Sequence, residues 1–110
     1  MNILVTGSEG GVGQAVIPQL LAQGHTVRGL DVMEAAHEDY EYRSGDLRDF
    51  ETVRSVVQGI NAIVHAGAMP NDRKDREHDV LASNTQGTWN ILIASVKNEV
   101  ERVLHFSSIN

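Results

Sequence analysis

Cysteine is absent from the 110 residues. That excludes disulfides, a thiolate metal site and a thiol nucleophile, and it fits a reducing compartment. Positive charge is scarce: Lys and Arg number 9 against 15 Asp and Glu, giving a formal charge of −6. DNA, RNA and anionic membranes each need a basic face, so none is expected as a partner. No run of about 18 apolar residues is present to span a bilayer. The opening Met1-Asn2-Ile3-Leu4-Val5-Thr6-Gly7 shows no basic region followed by a long apolar stretch, so no leader is expected and a cytoplasmic location is. Hydrophobic residues make up 41% and charged residues 22%, the balance of one globular domain with a single core.

Two kinds of segment alternate along the chain. Ile3-Leu4-Val5 is apolar without polar alternation, the pattern of a strand buried on both faces. Val12 to Gln23 is helical, with Val16, Ile17, Leu20 and Leu21 on one stripe and Gly24 as the stop. Pro18 conflicts with that helix, because it removes the bond to the Gln14 carbonyl; a bend or a late first turn is expected. His25–Asp31 reads as the second strand, Glu34–Asp39 has room for a turn of helix, and Tyr40–Arg43 alternates like a third strand. Asp49 caps a helix to about Gln58 with Phe50, Val53, Val56 and Val57 inward and Gly59 as the stop. Ala62–His65 is a fourth strand, Pro70–Asp75 a charged loop, Glu77 to Asn98 a long helix and Arg102–Phe106 a fifth strand. Strands alternating with helices indicate a parallel α/β sheet with crossovers.

Between the first strand and helix lies Thr6-Gly7-Ser8-Glu9-Gly10-Gly11-Val12-Gly13. In a dinucleotide site Gly7 turns the chain off the strand, Gly10 lets a pyrophosphate reach the backbone, and Gly13 lets the helix pack closely on the sheet. The helix N-terminus adds free N–H groups and a positive dipole end. A tight turn with no ligand is the plain alternative. The following strand ends in an acid, Asp31, which argues for the ligand.

Thr6 with glycines at 7, 10 and 13 resembles the short-chain dehydrogenase/reductase family, particularly its extended branch of epimerases, dehydratases and sugar or steroid dehydrogenases. The resemblance implies a Rossmann-type doubly wound sheet of order 3-2-1-4-5, with NAD at the carboxyl ends of strands 1 and 4. The early helices then pack on one face and the later two on the other. Asp31 accepts from the adenosine ribose hydroxyls and repels a 2′-phosphate; Glu9 adds negative charge nearby, and both favour NAD over NADP. In look-alike members the Asp46-Leu47 pair meets the adenine, Asp46 at its exocyclic amine and Leu47 near the ring. With Asp49 the better cap, Asp46 is left free. His65-Ala66-Gly67-Ala68 is similar to the family's His-x-Ala-Ala, whose small residues leave space for the cofactor ribose; His65 itself reads as a packed strand residue. Asn84-Thr85-Gln86-Gly87-Thr88 resembles the Asn-x-x-Gly-Thr stretch that places Asn84 near the active site, and close approach to a neighbour accounts for Gly87. Ser108, and after it Ser107, resembles the hydroxyl that binds the reacting substrate oxygen.

The candidate cofactor contacts are thus Gly7, Ser8, Glu9, Gly10, Gly11, Val12, Gly13, Asp31, Asp46, Leu47, Ala66, Gly67 and Ala68; the candidate catalytic residues are Ser108, Ser107 and Asn84. No metal site is expected, since the acids and histidines near 37–39 and 75–79 lack a recurring ligand spacing, and Trp89 reads as a packing residue. The family's proton relay is a Tyr with a Lys four residues on. Here Tyr40 and Tyr42 are followed at that spacing by Ser44 and Asp46, and Lys74 and Lys97 are preceded by Pro70 and Ile93. The resemblance therefore implies the N-terminal, NAD-binding portion of a hydride-transferring oxidoreductase, epimerase or dehydratase for a sugar-like or alcohol substrate. It stops after the fifth strand, and an exposed edge there favours self-association. A non-catalytic NAD(P)-sensing module and a scaffold without nucleotide are the alternatives.

Overall fold

The computed structural model describes residues 1–67 and 77–106, and of residues 77–83 the backbone only. Strands β1 (Asn2–Thr6), β2 (Thr26–Asp31), β3 (Glu41–Ser44), β4 (Ala62–His65) and β5 (Arg102–His105) form one parallel sheet ordered β3-β2-β1-β4-β5. Helices α1 (Gly11–Ala22), α2 (Phe50–Val57) and α3 (Glu77–Lys97) connect them. The expected α/β order is the observed one, and β4 matches its expected limits.

The pleat sends successive side chains to opposite faces, so the central strands feed two cores. Ile3, Val5, Val27 and Val64 pack with Ile17 of α1. Leu4, Leu30 and Ile63 pack on the other face with Val53, Val56 and Val57 of α2 and Ile91 and Ala94 of α3. This two-sided burial explains why Ile3-Leu4-Val5 carries no polar alternation. Asp49 caps α2 by accepting from the Glu51 N–H at 3.1 Å.

Three expectations need correction. α1 begins at Gly11 and contains Pro18, so the late first turn does not occur. Pro18 and Gln14 are both exposed, so the carbonyl left without its helical partner lies on the wet face. No helix forms over Glu34–Asp39. That connection is tied down by other bonds: Ser44 Oγ donates to the Val32 carbonyl at 3.3 Å, the Tyr42 hydroxyl donates to the Met33 carbonyl, and His37 engages Glu9. Trp89 is no packing residue among those described; it is 61% exposed, in line along α3 with exposed Leu92 and Val96.

The first turn of α1 lies directly on the loop that precedes it. A Cβ on Gly13 would stand 2.5 Å from the Gly7 carbonyl oxygen and 2.7 Å from Ser8 Cα, so the close packing expected against the sheet is instead against the loop's own backbone. Gly11, two residues earlier, has nothing within 4 Å of such a methyl. Urea unfolding should therefore separate the two positions. Gly13→Ala is expected to lose about 1–3 kcal/mol through backbone displacement, whereas Gly11→Ala should gain about 0.4–1 kcal/mol by restricting the unfolded chain. Equal effects would show that the loop does not sit where the contacts place it.

Candidate functional site

At the carboxyl ends of β1, β2 and β4 the chain builds a shelf. Gly7 leaves β1 with φ +69°, and a Cβ there would stand 2.4 Å from the Ala66 carbonyl oxygen. The loop is pinned to β2 by the Gly7 and Ser8 N–H groups, which donate to the Leu30 carbonyl at 2.8 and 3.3 Å. Gln14 Nε2 donates to the Ser8 carbonyl at 2.6 Å. Val12 is exposed in the first turn of α1. That turn has neither a side-chain cap nor an acidic residue, in contrast to α2 with Asp49 and Glu51. A Cβ on Gly10 meets only the Gly7 carbonyl oxygen, at 3.4 Å, and its φ is −82°. Among the described residues nothing else lies within 4 Å of such a Cβ, so no internal packing there requires glycine at position 10.

Asp31 closes one side of the shelf. Its Oδ2 accepts from the Glu9 N–H at 2.9 Å and its Oδ1 from the Val32 N–H at 2.7 Å. Each oxygen keeps a second lone pair for another donor. The Glu9 carboxylate is paired with His37 Nε2, and the His37 ring stacks on Tyr40 at 4.4 Å. Sequence reasoning saw His37 only beside neighbouring acids; its partner lies 28 positions away, beyond any local pattern. Burial, then the negative charge of Asp31, Glu9 and Glu34, pushes the Tyr42 phenol up to about 12.

Asp46 is not free. Its carboxylate takes the Arg48 guanidinium at 2.7 Å and the Arg48 N–H at 2.9 Å, and this hydrogen bonding holds it below the usual carboxylate range. Leu47 lies in the core at 7% exposure, not on an open surface. A methyl on Gly67 would meet Leu47 Cδ1 at 2.7 Å and Thr6 Oγ1 at 3.1 Å. A side chain at 67 would thus have to displace Leu47 and crowd Thr6. Asn84 is half-buried in α3. Ala68, Ser107, Ser108 and the charged loop Pro70–Asp75 lie outside the described residues.

His65 is the packed residue expected, and its bonds fix its state. Thr6 Oγ1 accepts from the Ala66 and Gly67 N–H groups, both at 3.1 Å. Its own hydrogen therefore goes to His65 Nδ1 at 2.7 Å, and His65 Nε2–H donates to Thr88 Oγ1 at 3.1 Å. One neutral imidazole thus joins β1, β4 and α3. Burial, helped by stacked His105 with ring centres 5.0 Å apart, pushes its pKa down to about 4.

The family model described as "NAD dependent epimerase/dehydratase family" matches residues 3–110. Cinnamoyl-CoA reductase 2 of Medicago truncatula is 32% identical over 98% of this chain and 35% of its own length. Uronate dehydrogenase of Pseudomonas syringae pv. tomato is 33% identical over 97% of this chain and 39% of its own. A short-chain dehydrogenase/reductase superfamily protein of Agrobacterium tumefaciens, crystallised with NAD, superposes with a TM-score of 0.89 at 35% identity, over 98% of this chain and 33% of that one. The chain spans about a third of the length of the curated relatives it matches.

The depressed pKa of His65 sets a pH dependence. Between pH 6.5 and about 4 the unfolded imidazole binds a proton that the folded one refuses. Stability is therefore lost as pH falls through that window, by about 3 kcal/mol in all. Urea titrations from pH 4.5 to 7 should show this slope, and His65→Gln should flatten it while lowering stability at neutral pH. An unchanged slope in His65→Gln would place the titration elsewhere.

Proposed function

The chain belongs to the NAD dependent epimerase/dehydratase family, and from that premise we propose that residues 1–110 form one dinucleotide-binding unit that holds NAD for hydride transfer on a sugar-like or alcohol substrate. The observation that carries the reading is the uncapped N-terminus of α1 beside Gly10, with the Asp31 carboxylate fixed at the edge of the same loop. An anion fits that position: the backbone offers N–H groups, the dipole end is positive, and Gly10 and Gly11 carry no side chain. The shelf from Gly7 to Gly13, with Ser8, Glu9, Gly11 and Val12 between the glycines, would take the pyrophosphate. Asp31 would accept from both ribose hydroxyls through its remaining lone pairs. Asp46 would face the base, while Ala66, Gly67 and Ala68 would flank the second ribose. Asn84, Ser107 and Ser108 would serve the substrate side.

When bound, NAD supplies a hydride acceptor or donor. The residues here bind and orient; they do not relay the proton. Tyr40 and Tyr42 have no Lys four residues on, and both phenols are pushed up by burial. Among the described residues no helix is long and apolar enough to cross a membrane, and the cytoplasm is the proposed location.

Cofactor choice rests on Asp31, because the Glu9 carboxylate already has His37 as a partner. Calorimetry should show tighter binding of NADH than of NADPH. Asp31→Ala should narrow that gap, since the charge that repels a 2′-phosphate is gone. Gly10→Val should abolish binding of both while the fold persists, its φ being one that valine adopts. Equal affinities in the wild type, or unchanged affinity in Gly10→Val, would refute the site.

Self-association is proposed through the exposed edge and helix. β5 bounds the described sheet, Leu104 is 57% exposed, and α3 presents Trp89, Leu92 and Val96 to solvent. Apolar side chains exposed together on one strand and one helix invite a second copy. Sedimentation should show a mass that rises with concentration, and Leu104→Lys should lower it. A monomer at every concentration would count against this.

A further inference from the structure

We propose that Asn90 is a positioning residue for the base end of the cofactor, acting through the carbonyls of the turn that carries Asp46; the proposal rests on the reading of Asp46 given above. Asn90 lies in α3 and is 2% exposed. Its Nδ2 donates to the Leu47 carbonyl at 2.8 Å and to the Arg48 carbonyl at 3.2 Å. Its Oδ1 accepts from Gln86 Nε2, one helical turn earlier, at 3.0 Å. The amide therefore has one workable orientation, since a flip would set its oxygen against two carbonyl oxygens.

The helix backbone reaches this turn because position 87 is glycine: a Cβ there would stand 2.9 Å from Leu47 Cβ. Leu47 is wedged between Gly87 and Gly67. The turn closes on itself through the Asp49 N–H, which donates to the Asp46 carbonyl at 3.0 Å. So Leu47 holds the turn from the core and Asn90 holds its carbonyls, while Arg48 orients the Asp46 carboxylate above them. A hydrogen bond to a base amine is sensitive to shifts of a few tenths of an ångström in its acceptor. Loss of the Asn90 donors frees the turn to shift, and leaves the pyrophosphate shelf and Asp31 untouched.

The test compares NADH with reduced nicotinamide hypoxanthine dinucleotide, in which an oxo group replaces the exocyclic amine of the base. Wild type should prefer NADH by about ten- to a hundredfold, as for a hydrogen bond to a charged acceptor. Asn90→Ala should bring that preference below about threefold with its circular dichroism retained, and Gln86→Ala should move it the same way by less. Role and mere support are told apart by the ratio: a fold-supporting residue weakens both ligands alike. A folded Asn90→Ala that keeps the wild-type ratio overturns the proposal. Should Asn90→Ala fail to fold, Gln86→Ala decides, a reduced ratio supporting the proposal and an unchanged one overturning it. If wild type binds both dinucleotides equally, or neither, the reading of Asp46 itself has failed and the Asn90 proposal falls with it. Failure confined to the variants leaves that reading standing.

Discussion

A carbonyl oxygen 2.4 Å from where a Gly7 side chain would begin is the constraint on which the rest of this structure depends. It brings the end of β1 against the end of β4 with no side chain between them. The same loop then meets the first turn of α1, where Gly13 lies on the Gly7 carbonyl and Ser8. With these backbones in contact, the N-terminus of α1 must point over the carboxyl ends of the strands. A single methyl at 13 would push α1, with its core residue Ile17, off Ile3, Val5, Val27 and Val64 of the sheet, and one at 7 would part β1 from β4. The helix end that suits an anion is thus a consequence of how the first two elements pack.

Around that shelf the polar groups have two kinds of partner. Thr6 and His65, which face inward, are fully engaged. Thr6 Oγ1 takes two N–H groups and gives its hydrogen to His65, which passes its own to Thr88. Those facing outward are held by one side only. Asp31 takes one N–H on each oxygen and retains lone pairs toward solvent. Such pairing is what burial demands, although the buried Ser8 Oγ of the same loop has no partner among the described residues; the outward remainder is what a ligand can use.

Charge near the shelf is arranged with some compensation. Glu9 and Asp31 lie at the same loop, yet Glu9 is met by His37, which stacks on Tyr40. The connection between β2 and β3 is therefore tied to the glycine loop by a side-chain contact. A turn of helix over Glu34–Asp39 would have carried His37 elsewhere, and its absence belongs with this contact.

Much of the fold was legible in the sequence because its signals are local. Ile3-Leu4-Val5 announces a strand buried twice, Asp49 and Gly59 bracket α2, and the glycine spacing marks the strand-to-helix turn; each rests on residues within a few positions of one another. The expected strand order and the two-faced arrangement of helices follow from that alternation and the resemblance it supports. Only the tertiary structure decided the rest. It placed Arg48 on Asp46, Glu9 on His37, and Leu47 between Gly67 and Gly87. It also turned Trp89 outward, because the inner face of α3 was already taken by Gly87, Asn90, Ile91 and Ala94. Most of these contacts join segments 20 or more positions apart, brought together by right-handed crossovers. Sequence periodicity reports which face of an element is apolar; which neighbour that face meets, and how closely, is settled when the layers pack.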